Sequence, residues 1–238
     1  MKKGKDGFYN KYIKRILDII CALAAMIVFC WLYAIIAILV RVKLGKPVIF
    51  KQPRPGKDEK LFWLYKFRTM TDERDADGEL LPDEMRLTKF GKWLRGKSFD
   101  ELPEAWNILK GDMSVIGPRP QLVRDMVFMT EEQRQRHCVR PGLSGLAQTR
   151  GRNALEWETK LATDLEYINN ITFFGDVKIV FDTVMQVFFH RTVAADTTAE
   201  EVDIAEDYGD YLLQSGSVNI EQYTAMQDAA KEILQTRG

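Results

Sequence analysis

The 238-residue chain has little of what builds covalently stapled or metal-held folds: three cysteines and two histidines. Cys21, Cys30 and Cys138 are too few and too irregularly spaced for a disulfide framework, which points to a reducing compartment. His137 and His190 stand apart, and no ligand spacing of a zinc site is present. Net charge is also missing, since 34 Lys and Arg balance 34 Asp and Glu, and nothing in that balance suggests nucleic acid as a partner. The balance hides an asymmetry: residues 1–60 hold 13 Lys and Arg against 4 Asp and Glu, whereas residues 194–238 hold 2 against 10. A basic front end suits an anionic partner.

Charge is absent altogether from IICALAAMIVFCWLYAIIAILV, residues 19–40, which lies between Asp18 and Arg41. A helix of that length rises about 33 Å, enough to cross a hydrocarbon core of about 30 Å. It is not a cleavable signal, because no small-residue cleavage site follows it. Lys11, Lys14 and Arg15 precede the run, and Arg41, Lys43, Lys46, Lys51 and Arg54 follow it. Positive charge prefers the cytoplasmic side, so a helix that enters, bends and leaves by the same face satisfies both flanks. A straight span satisfies the length, and the run contains neither Pro nor Gly to bend it. A buried helix of a soluble fold is the third reading.

Downstream, PVIFKQPRPG and KLFWLYKFRTM read as a β-hairpin. TDERDADGELLPDEM reads as a polar loop, although its Asp75-Ala-Asp77 matches a triplet used for metals in sugar-nucleotide transferases. MRLTKFGKWLRGK, with Met85, Leu87, Phe90, Trp93 and Leu94 among basic residues, predicts one amphipathic helix suited to an anionic membrane surface or to a solvated helix packed on a core. In SFDELPEAWNILKGDMSVIGPRP, Ser98 and Glu101 have the spacing of a capping box, and Leu102, Ala105, Trp106 and Leu109 recur at helical spacing until Gly111. Asp100 and Glu101 are then expected at a helix N-terminus, where the dipole keeps carboxylates ionised. MSVI predicts a short strand leading into Pro118-Arg119-Pro120, whose rings restrict the backbone around an arginine able to grip phosphate. Paired acids with a fixed arginine suit phosphoryl chemistry.

KQPRPG, YKFRTM, LRGKSFDELPEAWNILKGDMSVIGPRP, RPGLSGLAQTRGRNALEWETK and DLEYINNITFFGDVKIVF together resemble the bacterial sugar transferase family, and within it the small monotopic phosphoglycosyl transferases. The likeness runs in order from about Lys11 to Phe189, and TMTDERDADGELLPDEMRL and GRNALEWETKL draw it toward the branch that starts bacterial N-linked protein glycosylation. The resemblance implies transfer of a phosphosugar from a UDP-sugar, N,N'-diacetylbacillosamine or another N-acetyl amino sugar, to undecaprenyl phosphate, releasing UMP. It implies Asp100 as the nucleophile of a ping-pong path, and Glu101 as a residue that, with Asp100, holds Mg²⁺ or positions the incoming acceptor. Arg119 would hold phosphate, supported by Lys66 and Arg95, with Arg152 and Asn153 as further nucleotide or sugar contacts. Lys14, Arg15 and Asp18 match the start of the family's re-entrant helix, but its Ser-Pro bend is replaced here by Cys30-Trp31. Any bend must therefore come from packing or side chains.

The expected architecture is α/β of the α+β kind, mostly helical and monotopic: a re-entrant membrane helix over 1–45, a catalytic domain over 46–195 with a small hairpin sheet and amphipathic surface helices, and an acidic helical extension over 196–238. The expected place is the cytosolic face of a bacterial inner membrane, with the phospholipid bilayer as a partner. Two helical stretches around QSGSVN in the tail suit a cap on the domain, self-association or another enzyme of the glycan pathway. Direct attack by the lipid phosphate in a ternary complex, and a non-catalytic membrane scaffold, are the competing readings of function.

Overall fold

The computed structural model describes residues 7–151, 155–189 and 207–237. After a π-helical turn at Tyr9–Ile13, the apolar run forms two helices, α1 (Lys14–Val28) and α2 (Cys30–Lys43). Neither is long and apolar enough to cross a membrane alone; the segments Tyr9–Val28 and Cys30–Lys43 pass that test only together, as a pair bent by 65°. The break falls at Phe29, which leaves helical geometry at φ −102°, ψ 13°.

Without proline, packing makes this bend. Ala22 of α1 is buried in a cluster with Phe62, Leu64, Ile108 and Met113. Ile36 and Val40 of α2 enter a different cluster with Leu44, Phe67 and Leu94. The Tyr33 hydroxyl donates to the Leu102 carbonyl at 2.5 Å, which pins the second arm. The basic start of α1 is bolted down in turn: Lys14 pairs with Asp176 at 2.5 Å, and Arg15 donates to the carbonyls of Ile108 and Leu109. Buried Asp18 accepts from the Ser114 hydroxyl and the Val115 N–H, both at 2.9 Å. Ile16, Ile20, Leu23 and Ile27 of α1 and Trp31, Ile35, Ile38 and Val42 of α2 remain exposed. An apolar face of this extent is unusual for a soluble monomer.

The hairpin forms as expected. β1 (Ile49–Pro55) and β2 (Leu61–Phe67) pair antiparallel, with Phe50 opposite Lys66, across a 3₁₀ turn at Lys57–Glu59. The predicted basic helix is instead two pieces, α3 (Asp83–Arg86) and α4 (Lys89–Gly96). Extended Leu87 bridges to Met70, and the Thr88 hydroxyl caps α4 by accepting from the Gly91 N–H at 3.0 Å. Met85 thus lies on the surface while Leu94 is fully buried. Gly91 lets α4 seat against the exit of β2, because a Cβ there would lie 1.9 Å from the Thr69 carbonyl oxygen.

α5 (Glu104–Lys110) ends at Gly111, which takes the left-handed φ of 94°. β3 (Ser114–Ile116) then pairs in parallel with β4 (Gly142–Ser144) as a second two-stranded sheet. Between them lie α6 (Val123–Met126) and α7 (Glu131–Arg134). After β4 come α8 (Leu146–Arg150), α9 (Trp157–Asn169) and α10 (Phe173–Phe189), then the tail helices α11 (Tyr208–Gln214) and α12 (Ile220–Arg237). Both tail helices pack on the domain, through clusters around Tyr208 and Leu212 and around Ala230.

Candidate active site

The capping box expected at Ser98 does not form. Ser98 sits at a left-handed φ of 55° with no side-chain cap, Phe99–Glu101 makes a single 3₁₀ turn, and the α-helix proper starts after Pro103. The reason lies outside the segment. Instead of reaching back to Ser98, Glu101 is drawn sideways by two cations: Lys66 Nζ at 2.8 Å and Arg119 Nη2 at 2.7 Å, both on Oε1.

β2 supplies Lys66, and Asn107 holds β2 against α5. The fully buried Asn107 amide donates to the Trp63 carbonyl at 2.7 Å and accepts from the Tyr65 N–H at 3.1 Å, next in chain to Lys66. Lys66 consequently reaches three carboxylates, with Glu104 at 3.4 Å and Asp100 at 3.8 Å in addition to Glu101. Arg119 comes from the turn after β3, and its backbone is clamped from two sides. Arg136 donates to the Arg119 carbonyl at 2.7 Å while its guanidinium forms a buried ion pair with Asp164 at 2.6 Å. Arg54 of β1 donates to the Pro120 carbonyl at 3.2 Å. The Arg119 side chain remains 42% exposed, against 16% for Glu101 and 8% for Asp100, so the cluster has an open, cationic mouth.

The electrostatics separate the three acids. Burial raises Asp100, and the nearby Glu101 charge adds to that, against the opposing charges of Lys66, Arg95 and Arg119. Burial also works to raise Glu101, but the charges and hydrogen bonds of Arg119 and Lys66 outweigh it and hold this carboxyl well below the usual range. Glu104, buried deepest, is lifted to about 7, chiefly by desolvation, with the Glu101 charge adding. The expectation that a helix dipole keeps both Asp100 and Glu101 ionised is therefore corrected: cations do this for Glu101, and burial opposes it for Asp100. Desolvation thus raises two of the three acids, while Lys66 and Arg119 keep the third ionised.

The structure brings together Asp100, Glu101, Lys66 and Arg119. Arg95 of α4 is anchored by its Nε on the Thr69 hydroxyl at 3.1 Å and acts on Asp100 through its charge. Arg152 and Asn153 lie outside the described residues. Asp75 of the DxD-like loop is spent locally, its Oδ1 accepting from the N–H groups of Asp77 and Glu79. Among the described residues no group of three or more His, Cys, Asp or Glu side chains converges as a metal site. The sequence reading missed Glu104, Arg54 and Arg136. Glu104 is spaced i+3 from Glu101 and i+4 from Asp100, which places it on their side of a helical turn. Arg136 acts through Asp164, 28 residues away, and has no local signature.

A bacterial sugar transferase family model matches residues 9–190. The sugar transferase EpsL of Bacillus subtilis (strain 168) is 51% identical over 178 residues, covering 74% of this chain and 87% of the relative. The UDP-N-acetylgalactosamine-undecaprenyl-phosphate N-acetylgalactosaminephosphotransferase of Aeromonas hydrophila is 38% identical over 187 residues, 74% of this chain and 44% of the relative. The UDP-glucose:undecaprenyl-phosphate glucose-1-phosphate transferase of Klebsiella pneumoniae is 37% identical over 193 residues, 77% of this chain and 42% of the relative. The chain thus spans under half the length of these last two.

Proposed function

The chain belongs to the bacterial sugar transferase family, and from that premise we propose that it moves a phosphosugar from a UDP-sugar to undecaprenyl phosphate, releasing UMP. The names of the Aeromonas and Klebsiella relatives support this general reaction, and with it the class of phosphoglycosyl transferase. The relatives differ in donor, N-acetylgalactosamine in one and glucose in another. A UDP-N-acetyl amino sugar such as N,N'-diacetylbacillosamine is proposed here from the residues that draw the likeness toward that branch.

The observation that carries the reading is the buried Asp100 carboxyl beside an ionised Glu101, with Lys66 and Arg119 fixed on the same side. In the proposed first half-reaction an Asp100 oxygen attacks the sugar-linked phosphorus. The bond from that phosphorus to the bridging oxygen breaks, UMP departs with the oxygen, and an aspartyl phosphosugar remains. An oxygen of undecaprenyl phosphate then attacks the same phosphorus and frees Asp100. Arg119, more open than Lys66, grips phosphate oxygens, and Lys66 steadies the acids while offsetting charge in the transition state. The hard carboxylate oxygens suit Mg²⁺, which Asp100 and Glu101 would help to hold. Bound there, the ion would neutralise charge developing on phosphate.

The acceptor chain cannot leave a bilayer, so the site must reach one. The exposed apolar faces of α1 and α2 support insertion of the bent pair from the cytosolic face of the bacterial inner membrane, both basic flanks staying on that side. Phe173, Phe174 and Phe181 of α10 are exposed as well.

The test mixes detergent-solubilised protein with Mg²⁺ and a panel of UDP-sugars, without lipid, and follows UMP and intact mass. The expected result is a burst of about one UMP per protein with a phosphosugar adduct, both lost in Asp100→Asn. UMP appearing only after undecaprenyl phosphate is added, with no adduct, would support direct attack, and no UMP under any condition would return the scaffold reading.

A further inference from the structure

We propose that the tail helices α11 and α12 form an intramolecular brace for the Pro118-Arg119-Pro120 turn and thereby set the affinity for the anionic donor; this rests on the phosphate-gripping role proposed for Arg119. The family match ends at residue 190, so these helices lie beyond the part of the chain that it describes.

The link runs through α6, which starts three residues beyond Pro120. The buried Asp125 carboxylate ties this segment at both ends: Oδ2 accepts from the Leu122 N–H at 3.1 Å, and Oδ1 accepts from the Tyr208 N–H of the tail at 3.0 Å. Arg124 pairs with Asp207 at 2.5 Å, one residue before α11. α12 seals the other side of α6, with Ala230, Ile233 and Leu234 packed on Val123 and Met126, and with Leu61 of β2 in the same cluster. Gly209 closes the joint, since a Cβ there would lie 2.6 Å from the Phe128 ring. The tail therefore touches the segment leaving the turn, while Arg136 and Arg54 hold the turn's own carbonyls. A turn whose backbone is held in this way keeps the Arg119 side chain aimed at its ligand, and loosening α6 makes binding costlier.

A cap that only shields an apolar face would change stability and leave ligand affinity alone. The test uses the full chain in nanodiscs, with UDP as the probe in calorimetric titrations and limited proteolysis to report tail displacement. Ala230→Glu, which puts a charge into the α6–α12 contact, is expected to weaken UDP at least five-fold and to raise KM for the UDP-sugar more than it lowers kcat. Asp207→Asn, which removes the charge that pairs with Arg124 and leaves the helix packing in place, is expected to shift UDP affinity two- to five-fold the same way. It decides the matter alone if Ala230→Glu is not recovered folded. A displaced tail with UDP affinity unchanged would overturn the brace. An Arg119→Ala control separates the two ideas: if it binds UDP as tightly as the parent, the phosphate grip fails, whereas loss of affinity there with the tail variants unaffected sinks only the brace.

Discussion

Glu104→Gln tests the electrostatics of the cluster through stability rather than through catalysis. Burial lifts the Glu104 carboxyl from its ordinary 4.5 to about 7, and its side chain is only 3% exposed. The unfolded chain loses this proton near pH 4.5, whereas the folded chain keeps it until about pH 7. Across that window the folded state binds more protons, so the contribution of Glu104 to stability falls as pH rises, by about 3 kcal/mol in all. Above pH 7 both states are ionised and the full penalty persists. Glutamine mimics the protonated acid and removes the titration. Measured by thermal unfolding in nanodiscs, the stability of Glu104→Gln relative to the parent is expected to climb between pH 5 and 8, by up to roughly 5–10 °C in Tm for a chain of this size. A difference that stays constant across that range would refute the account, because Glu104 would then titrate as an ordinary carboxyl.

Two further substitutions probe the scaffold beneath the site. Asn107→Leu leaves the part-buried Tyr65 N–H and Trp63 carbonyl without the amide that now satisfies them; the two lost hydrogen bonds are expected to cost about 1–3 kcal/mol together, read by chemical denaturation, and the freed β2 is expected to reduce turnover through Lys66. A fall in stability of less than about 1 kcal/mol would contradict this. Gly91→Ala would drive a methyl group into the Thr69 carbonyl and is expected to lower Tm and activity together by displacing α4 with Arg95. An unchanged Tm would show that the close approach is not required.

Much of the framework was legible in the chain. The hairpin followed from two runs of strand formers around a Gly- and Pro-containing turn, and the stop of α5 from Gly111. Charge on both flanks of the apolar segment suited a bend but left a straight span open, and the helices of the acidic tail followed from their spacing. These are decided by neighbours a few residues apart, whose backbone preferences and apolar periodicity can be read in order.

The chemistry of the site was only half legible. Asp100, Glu101 and Arg119 stand out as residue types, but their states depend on partners brought together by folding. Lys66 meets Glu101 across 35 residues of chain and Arg119 meets it across 18. Those contacts overrode the local capping box, since two cations on one carboxylate in a low-dielectric site outweigh a single backbone hydrogen bond at a helix start. The sequence by itself determined where the chain can be helical, extended or apolar, because such preferences are local. Only the tertiary structure decided that Phe29 is the bend, that Glu104 joins the acids, and that Arg136 and Arg54 hold the turn of Arg119, because burial and long-range charge exist only once the chain has closed on itself.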